Sequence, residues 1–203
     1  MDLGTVATAF ALIFPVELPD KTFVATLVLA TRYRPLLVWI GVSAAFVVQC
    51  LVAVVAGGLL SLLPSALVGA VAGALFLIGA VVLWRGAASA DAVESAEEQA
   101  VAAETTAELH GFKVVATSFG VLFLAEWGDL SQLLTAGLAA RYHDPLSVFV
   151  GSWLALVTVA GLAVILGRTL LRFVRLSTIR RVGAAVCFVL ALVAAYDVVR
   201  SLV

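Results

Sequence analysis

Six long apolar runs, separated by short breaks that carry charge or proline, constrain the fold of this chain most strongly. The runs lie near residues 3–30, 36–60, 65–86, 112–140, 146–168 and 178–201. Each is long enough to cross about 30 Å of hydrocarbon at about 1.5 Å of helix rise per residue. We therefore expect an all-α integral membrane protein with six transmembrane helices.

Composition supports a location in the lipid bilayer. Of the 203 residues, 64% are hydrophobic and 12% are charged, whereas a soluble domain is about half apolar and a quarter charged. The net charge is −1 and no basic patch carries interleaved aromatics, so a nucleic-acid partner is not expected. The first apolar run has no early Lys or Arg, which predicts a retained span rather than a cleaved signal peptide.

Basic residues are distributed unequally between the two sides of the predicted bundle. The breaks after the first, third and fifth runs carry Arg32, Arg34, Arg85, Lys113, Arg168, Arg172, Arg175, Arg180 and Arg181. The opposite side carries Arg141 and Arg200. Since basic loops stay in the cytoplasm, both termini are expected outside, in a bacterial plasma membrane. The sequence leaves the oligomeric state open.

The two halves of the chain resemble each other at a constant spacing. The pattern E-x-x-D-x-T that begins at Glu17 matches E-x-x-D-x-S that begins at Glu126. We call the spacing between these two glutamates the repeat offset. Arg32-Tyr33 matches Arg141-Tyr142 at the repeat offset, and Gly41 matches Gly151 one position later. Three spans per half is an odd number, so the second half must enter the membrane from the other side. We predict two inverted three-helix repeats, 1–88 and 112–203, joined by an acidic cytoplasmic linker at 89–111.

Four carboxylates lie near the middle of the predicted spans, namely Glu17, Asp20, Glu126 and Asp129. Positions three apart share a helix face, so each pair should point in one direction, and inverted topology can bring the pairs together. Four ionised side chains facing lipid would cost on the order of 10–14 kcal/mol. They must therefore line a polar cavity and be neutralised. Lys21 could neutralise one charge, and protons or a metal ion the others.

Carboxylate oxygens are the ligands that Ca²⁺, Mn²⁺ and Mg²⁺ prefer. The groups that could assist them are Pro15, Lys21, Thr22, Gln49, Ser131 and Gln132. Thr22 and Ser131 could instead hydrogen-bond the preceding helical turn, and Gln49 could instead serve helix packing. His110 and His143 lie at span edges, which argues against a zinc or copper site. Because metal and protons compete for the same oxygens, we hypothesise exchange of metal for protons.

The two motifs, E-L-P-D-K-T at 17–22 and E-W-G-D-L-S at 126–131, resemble the paired E-x-G-D-[KR]-[TS] motif of the Gdt-type family of manganese and calcium cation/proton antiporters. The resemblance implies an inverted three-plus-three fold, export of Mn²⁺ or Ca²⁺ against protons, and the four motif acids as metal ligands, with no cofactor besides the transported ion. Two departures stand out. Pro19 replaces the usual Gly of the first motif, and Leu130 replaces the usual Lys or Arg of the second.

Three other interpretations remain at this point. The acids could form a structural polar cluster that locks the bundle. An exporter of an organic cation or amino acid would need aromatic lining beside the acids, for which Trp127 is the one candidate. An intramembrane aspartyl hydrolase could use Asp20 and Asp129, but it would leave both glutamates unexplained. We therefore expect a transporter and not an enzyme.

Overall fold

The computed structural model describes residues 1–18, 21–62, 64–86, 109–173 and 176–202, and within these ranges every regular element is a helix. The eight helices are α1 (Leu3–Glu17), α2 (Lys21–Arg32), α3 (Pro35–Leu60), α4 (Ser65–Gly86), α5 (Phe112–Ala125), α6 (Leu130–Tyr142), α7 (Pro145–Phe173) and α8 (Leu176–Leu202). The predicted all-α class is confirmed. The acidic linker lies outside the described residues, apart from its last three.

Three of the described helices begin at a side-chain cap or a proline. At the start of α1, the Asp2 carboxylate accepts hydrogen bonds from the backbone N–H groups of Gly4 and Thr5, at 3.2 and 2.9 Å. Such a side chain satisfies donors that the first turn leaves free. Pro35 and Pro145 open α3 and α7, where a missing N–H costs nothing. The predicted runs 36–60 and 65–86 match α3 and α4 to within one residue.

The first and fourth predicted spans are each divided into two helices at the acidic motif. The run 3–30 contains α1 and α2, and the run 112–140 contains α5 and α6, which meet at 75°. Each of these two predicted spans is therefore broken at its acidic motif. Gly128 adopts a left-handed φ of +75°, a conformation that glycine adopts without steric cost.

Several helices have the length or the apolar surface of a membrane-embedded segment. Helix α3 and residues 145–165 of α7 could each cross a bilayer, and α5 with α6 would form a third, bent, span. Shorter apolar helices cover Leu3–Glu17, Thr22–Arg32 and Gly73–Arg85. Helix α3 buries one stripe against the protein while Leu51, Val55 and Leu59 are exposed. Apolar residues on every side of a helix are typical of contact with lipid, so the chain is a membrane protein.

Most helix packing in the described structure joins the first half of the chain to the second. Helix α4 runs along α8, α1 packs against α7, and α3 lies against α5, α6 and α7. Contacts within a half are fewer and chiefly join α2 to α3 and α6 to α7. The buried core is consequently shared between the halves.

Two glycines at corresponding positions allow close helix approaches between the halves. A Cβ atom at Gly41 would overlap the carbonyl oxygen of Val115 on α5, and one at Gly151 would overlap the carbonyl oxygen of Val6 on α1. Val6 and Val115 are separated by the repeat offset that also relates the two acidic motifs. The same contact is thus made twice, and each time it holds the helix that precedes a motif.

Two tryptophans join α3 to α7. The indole N–H of Trp39 donates to the carbonyl oxygen of Val157 at 3.1 Å. The indole N–H of Trp153 donates to the carbonyl oxygen of Ser43 at 3.2 Å. Both tryptophans therefore serve the packing of these two helices.

Candidate metal centre

Glu17 is the last residue of α1, and its side chain is completely buried. Pro15 lies inside this helix, and it has no N–H to donate to the carbonyl of the preceding turn. The helix therefore loses a hydrogen bond one turn before the first motif acid. The next motif acid, Asp20, lies outside the described residues, so its place in the site stays a prediction.

Glu126 and Asp129 lie in the turn between α5 and α6. The N–H of Glu126 donates to the carbonyl of Leu122 at 3.0 Å, and the N–H of Asp129 donates to the carbonyl of Glu126 at 3.2 Å. Asp129 occupies the N-cap position of α6 with extended backbone. The prediction that these two carboxylates share a helix face is wrong, since the helix ends at Ala125. The turn nevertheless brings them together.

Carboxylate oxygens from the two motifs converge. One oxygen each of Glu17, Glu126 and Asp129 lies within 4.8 Å of the other two. Glu126 is 3% exposed and Asp129 is partly buried. Ca²⁺ takes oxygen ligands at about 2.3–2.6 Å, so oxygens on opposite sides of one such ion are about 4.6–5.2 Å apart. The spacing suits a single ion held between the halves.

The hydroxyl residues of the two motifs are both buried. Thr22 has no exposed surface, and among the described residues its hydroxyl has no hydrogen-bond partner. Ser131 is 6% exposed. The alternative that Thr22 bonds the preceding turn is therefore not observed. Lys21 begins α2, but its side chain is outside the described part of the structure.

Two further buried threonines follow one helical turn later and were not singled out from the sequence. Thr26 is fully buried, and its hydroxyl also has no partner within the described ranges. Thr135 is 1% exposed and corresponds to Thr26 at the repeat offset. Extending the comparison of the two halves by one helical turn would have found this pair.

Gln49 and Gln132 contact backbone groups at the end of α5 and in the turn between α5 and α6. The side chain of Gln49 donates to the carbonyl oxygen of Phe123 at 3.1 Å. The side chain of Gln132 accepts a hydrogen bond from the N–H of Gly128 at 2.9 Å. Both residues predicted to assist the site are thus beside it. Their polar atoms are occupied by backbone groups.

Cys50 is closer to the site than its position in the sequence suggests. The residue is buried on α3, and its thiol lies close to the carboxylate of Glu17. It is not part of the converging group, which among the described residues contains carboxylates alone. The ligand set therefore remains one of oxygen atoms.

Stacked aromatic pairs precede both motif glutamates. The rings of Phe10 and Phe14 are 5.5 Å apart with 12° between their planes, and those of Phe119 and Phe123 are 5.5 Å apart with 8°. The two pairs are related by the repeat offset. Trp127 extends the second stack, with its ring 5.0 Å from that of Phe123, and is 58% exposed.

Two acidic residues outside the spans tie the start of α1 to the start of α7. The backbone N–H of Asp2 donates to Ser147 Oγ at 2.8 Å and is 3.2 Å from an oxygen of Asp144. The hydroxyl of Ser147 donates to Asp144 at 2.6 Å. This hydrogen bond lowers the pKa of Asp144, and the hydroxyl of Thr5 lowers the pKa of Asp2 in the same way.

Known proteins resemble the chain over almost its whole length. The family model described as divalent cation/proton antiporter GDT1 matches residues 5–91 and 114–201. A GDT1-like protein of Synechocystis is 31% identical over 198 residues, which cover 93% of this chain and 96% of that protein. The chloroplastic GDT1-like protein 1 of Oryza sativa subsp. indica is 31% identical over 224 residues, or 98% of this chain and 65% of the rice protein. The chloroplastic protein PAM71 of Arabidopsis thaliana is 30% identical over 220 residues, or 98% of this chain and 59% of its own length.

No solved structure matches the chain. The chain thus spans nearly all of the Synechocystis relative and less than two thirds of the two plant proteins. The two matched segments each contain one acidic motif, at 17–22 and 126–131. On this evidence the chain belongs to the GDT1 family of divalent cation/proton antiporters.

Proposed function

We propose that this protein exchanges Mn²⁺ or Ca²⁺ for protons at a single site built from Glu17, Asp20, Glu126 and Asp129. The observation that carries the proposal is the convergence of oxygens from both motifs to within 4.8 Å, in a buried position. A divalent cation at this place would offset the mutual repulsion of the carboxylates. Its ligands would come from both halves of the chain.

Competition for the same oxygens couples the two ions. A carboxyl oxygen that carries a proton is a poor metal ligand, and a bound divalent cation displaces the proton. The three described carboxylates are close enough that one ion would engage them together. Protons that arrive from one side therefore release the metal, and metal that arrives from the other side releases the protons.

The inverted repeat of six spans is supported by contacts that occur in symmetric pairs. Helix α1 packs against α7 as α5 packs against α3, and α2 packs against α7 as α6 packs against α3. The two glycine contacts and the two phenylalanine stacks repeat in the same way. In this arrangement the broken spans α1–α2 and α5–α6 face each other across the site.

The distribution of basic residues supports an orientation of the protein in the membrane. The breaks after the first, third and fifth spans are rich in Arg, which supports a cytoplasmic linker and termini on the outside of a bacterial plasma membrane. Entry of protons down their gradient would then drive export of the metal. As a member of a transporter family the chain is not an enzyme, so the interpretation as an aspartyl hydrolase is dropped.

Transport of Mn²⁺ into proteoliposomes under an imposed pH gradient tests the proposal. The wild type should accumulate Mn²⁺ only when the gradient is present. Glu17→Gln and Glu126→Gln should reduce uptake to the level of empty vesicles, because an amide cannot exchange a proton and binds metal weakly. Asp144→Asn, which removes a carboxylate outside the site, is the control.

Retained proton-coupled uptake in both Gln variants would refute the proposed site. Adding an excess of an organic cation to the uptake assay tests the alternative that the protein exports organic cations. Because Trp127 is exposed beside Glu126, an organic-cation exporter should lose Mn²⁺ uptake by competition, whereas a site of carboxylate oxygens should not.

A further inference from the structure

A network of hydrogen bonds from two glutamines surrounds the break between α5 and α6. From α3, Gln49 Nε2 donates to the carbonyl oxygen of Phe123 at 3.1 Å and is 3.5 Å from that of Leu122. From α6, Gln132 Oε1 accepts from the N–H of Gly128 at 2.9 Å, and Gln132 Nε2 lies 3.5 Å from the carbonyl oxygen of Gln49. The last turn of α5, the break and α3 are thereby connected.

The network restrains the part of the backbone that carries two of the site carboxylates. Gly128 lies between Glu126 and Asp129, and it has the left-handed φ of +75°. Glycine has the widest conformational freedom of any residue, so its neighbours need an external restraint to hold one arrangement. A binding site must be held to within about 0.5 Å of its working geometry. The hydrogen bond from Gly128 to Gln132 supplies such a restraint.

The first half of the chain is held differently at the corresponding place. Phe23 corresponds to Gln132 at the repeat offset, and Val159 corresponds to Gln49 at the slightly longer spacing that relates Gly151 to Gly41. Phe23 and Val159 are 1% and 0% exposed and belong to one apolar cluster. These two positions therefore make apolar contacts where the glutamines make hydrogen bonds. The hydrogen bonds of Gln49 and Gln132 therefore have a role at the break of the second half that apolar packing does not supply.

We propose that Gln49 and Gln132 are positioning residues, which fix the break between α5 and α6 so that Glu126 and Asp129 present their oxygens to the cation. The inference rests on the proposed function and adds an asymmetry to it. Hydrogen bonds are directional, whereas the apolar contacts of Phe23 and Val159 are not. The hydrogen bonds thus orient the ligands that the second half supplies.

Kinetics of Mn²⁺ uptake in proteoliposomes separate positioning from general stability. Gln132→Leu and Gln49→Leu keep nearly the same volume but can neither donate nor accept hydrogen bonds. Each should raise the KM for Mn²⁺ by about tenfold to a hundredfold, as is usual for residues that orient metal ligands. The double variant should be little worse than the poorer single variant, because both residues belong to one network.

Val159→Ala is the matched control, since Val159 is the counterpart of Gln49 and packs against Phe23 beside the first motif. This change opens a small cavity and should lower the unfolding temperature without raising the KM. As a second readout, hydrogen exchange of a peptide covering 124–132 should be faster in Gln132→Leu than in the wild type, because the N–H of Gly128 loses its acceptor.

The outcomes distinguish the two proposals. An active wild type with unchanged KM and unchanged exchange in both Gln variants would overturn the positioning role and leave the proposed function intact. An equal rise of KM in Val159→Ala would also overturn it, because a loss of stability would then explain the effect. A wild type that moves no Mn²⁺ would overturn the proposed function, and the positioning role with it.

Discussion

Replacing Glu126 by Gln should stabilise the protein in the absence of metal and also abolish its response to Mn²⁺. Glu126 shares with Glu17 and Asp129 a group whose oxygens lie within 4.8 Å of one another. At this distance two unit charges repel by about 3.5 kcal/mol at an effective dielectric constant of about 20. Glutamine keeps the shape of the side chain and removes its two repulsions. Since the surroundings screen part of these repulsions, we expect a gain of at least about 1 kcal/mol at pH 8.

The same change removes one of the charges that attract the cation. Loss of one partner from a buried ion pair costs about 3–5 kcal/mol, which is a weakening of more than a hundredfold. For the wild type, Mn²⁺ at a hundred times its Kd adds about 2.7 kcal/mol of stability. In a protein of this size that corresponds to a rise of roughly 5–10 °C in unfolding temperature. The variant should show no rise at the same concentration.

Thermal unfolding of the detergent-solubilised protein at pH 8, in EDTA and in Mn²⁺, measures both effects. Asp144→Asn is the control, because it removes a carboxylate outside the site and asparagine still caps a helix. It should keep the full response to Mn²⁺. A Glu126→Gln protein that is less stable than the wild type in EDTA, and that Mn²⁺ still stabilises, would refute the reasoning.

Two further predictions concern the contacts that join the halves. Gly41→Ala and Gly151→Ala should each lower stability by about 1–3 kcal/mol through overpacking against a backbone carbonyl. Gly58→Ala should not, because no atom lies within 4 Å of the added Cβ. Equal unfolding temperatures for the three variants would contradict this. Because the pKa of Asp144 is lowered from 3.8 in the folded protein, its contribution to stability is present above that value and is lost as the pH falls through the lowered pKa. Unfolding temperature should therefore fall below about pH 4, and an Asp144→Ala variant with the same acid dependence would refute this assignment.

The sequence predicted the helices well where local rules decide them. The predicted run 36–60 forms α3, which Pro35 opens. The meeting of Glu17 and Glu126 followed from the internal repeat and an odd number of spans. Both predictions needed only the spacing of residues along the chain.

The features that the sequence did not predict depend on partners far away in the chain. The acceptor of Gln49 lies 74 residues further on, and nothing near Gln49 indicates whether it lines a pore, packs or holds a turn. The 75° bend at the second motif depends on the left-handed conformation of Gly128. A glycine at this position permits the left-handed conformation but does not require it. Tertiary contacts decide such points, and they could not be inferred without the pairing of helices.

The sharing of one core between the halves has a consequence for how the chain is made. Helix α1 meets its main partner α7 only after the whole first half and the start of the second have been synthesised, and α4 meets α8 later still. Until then the early helices, which include Glu17, lie in the lipid bilayer without their packing partners. Contacts of such high sequence separation slow folding. Assembly of the interior is thus completed after translation of the last helix rather than helix by helix.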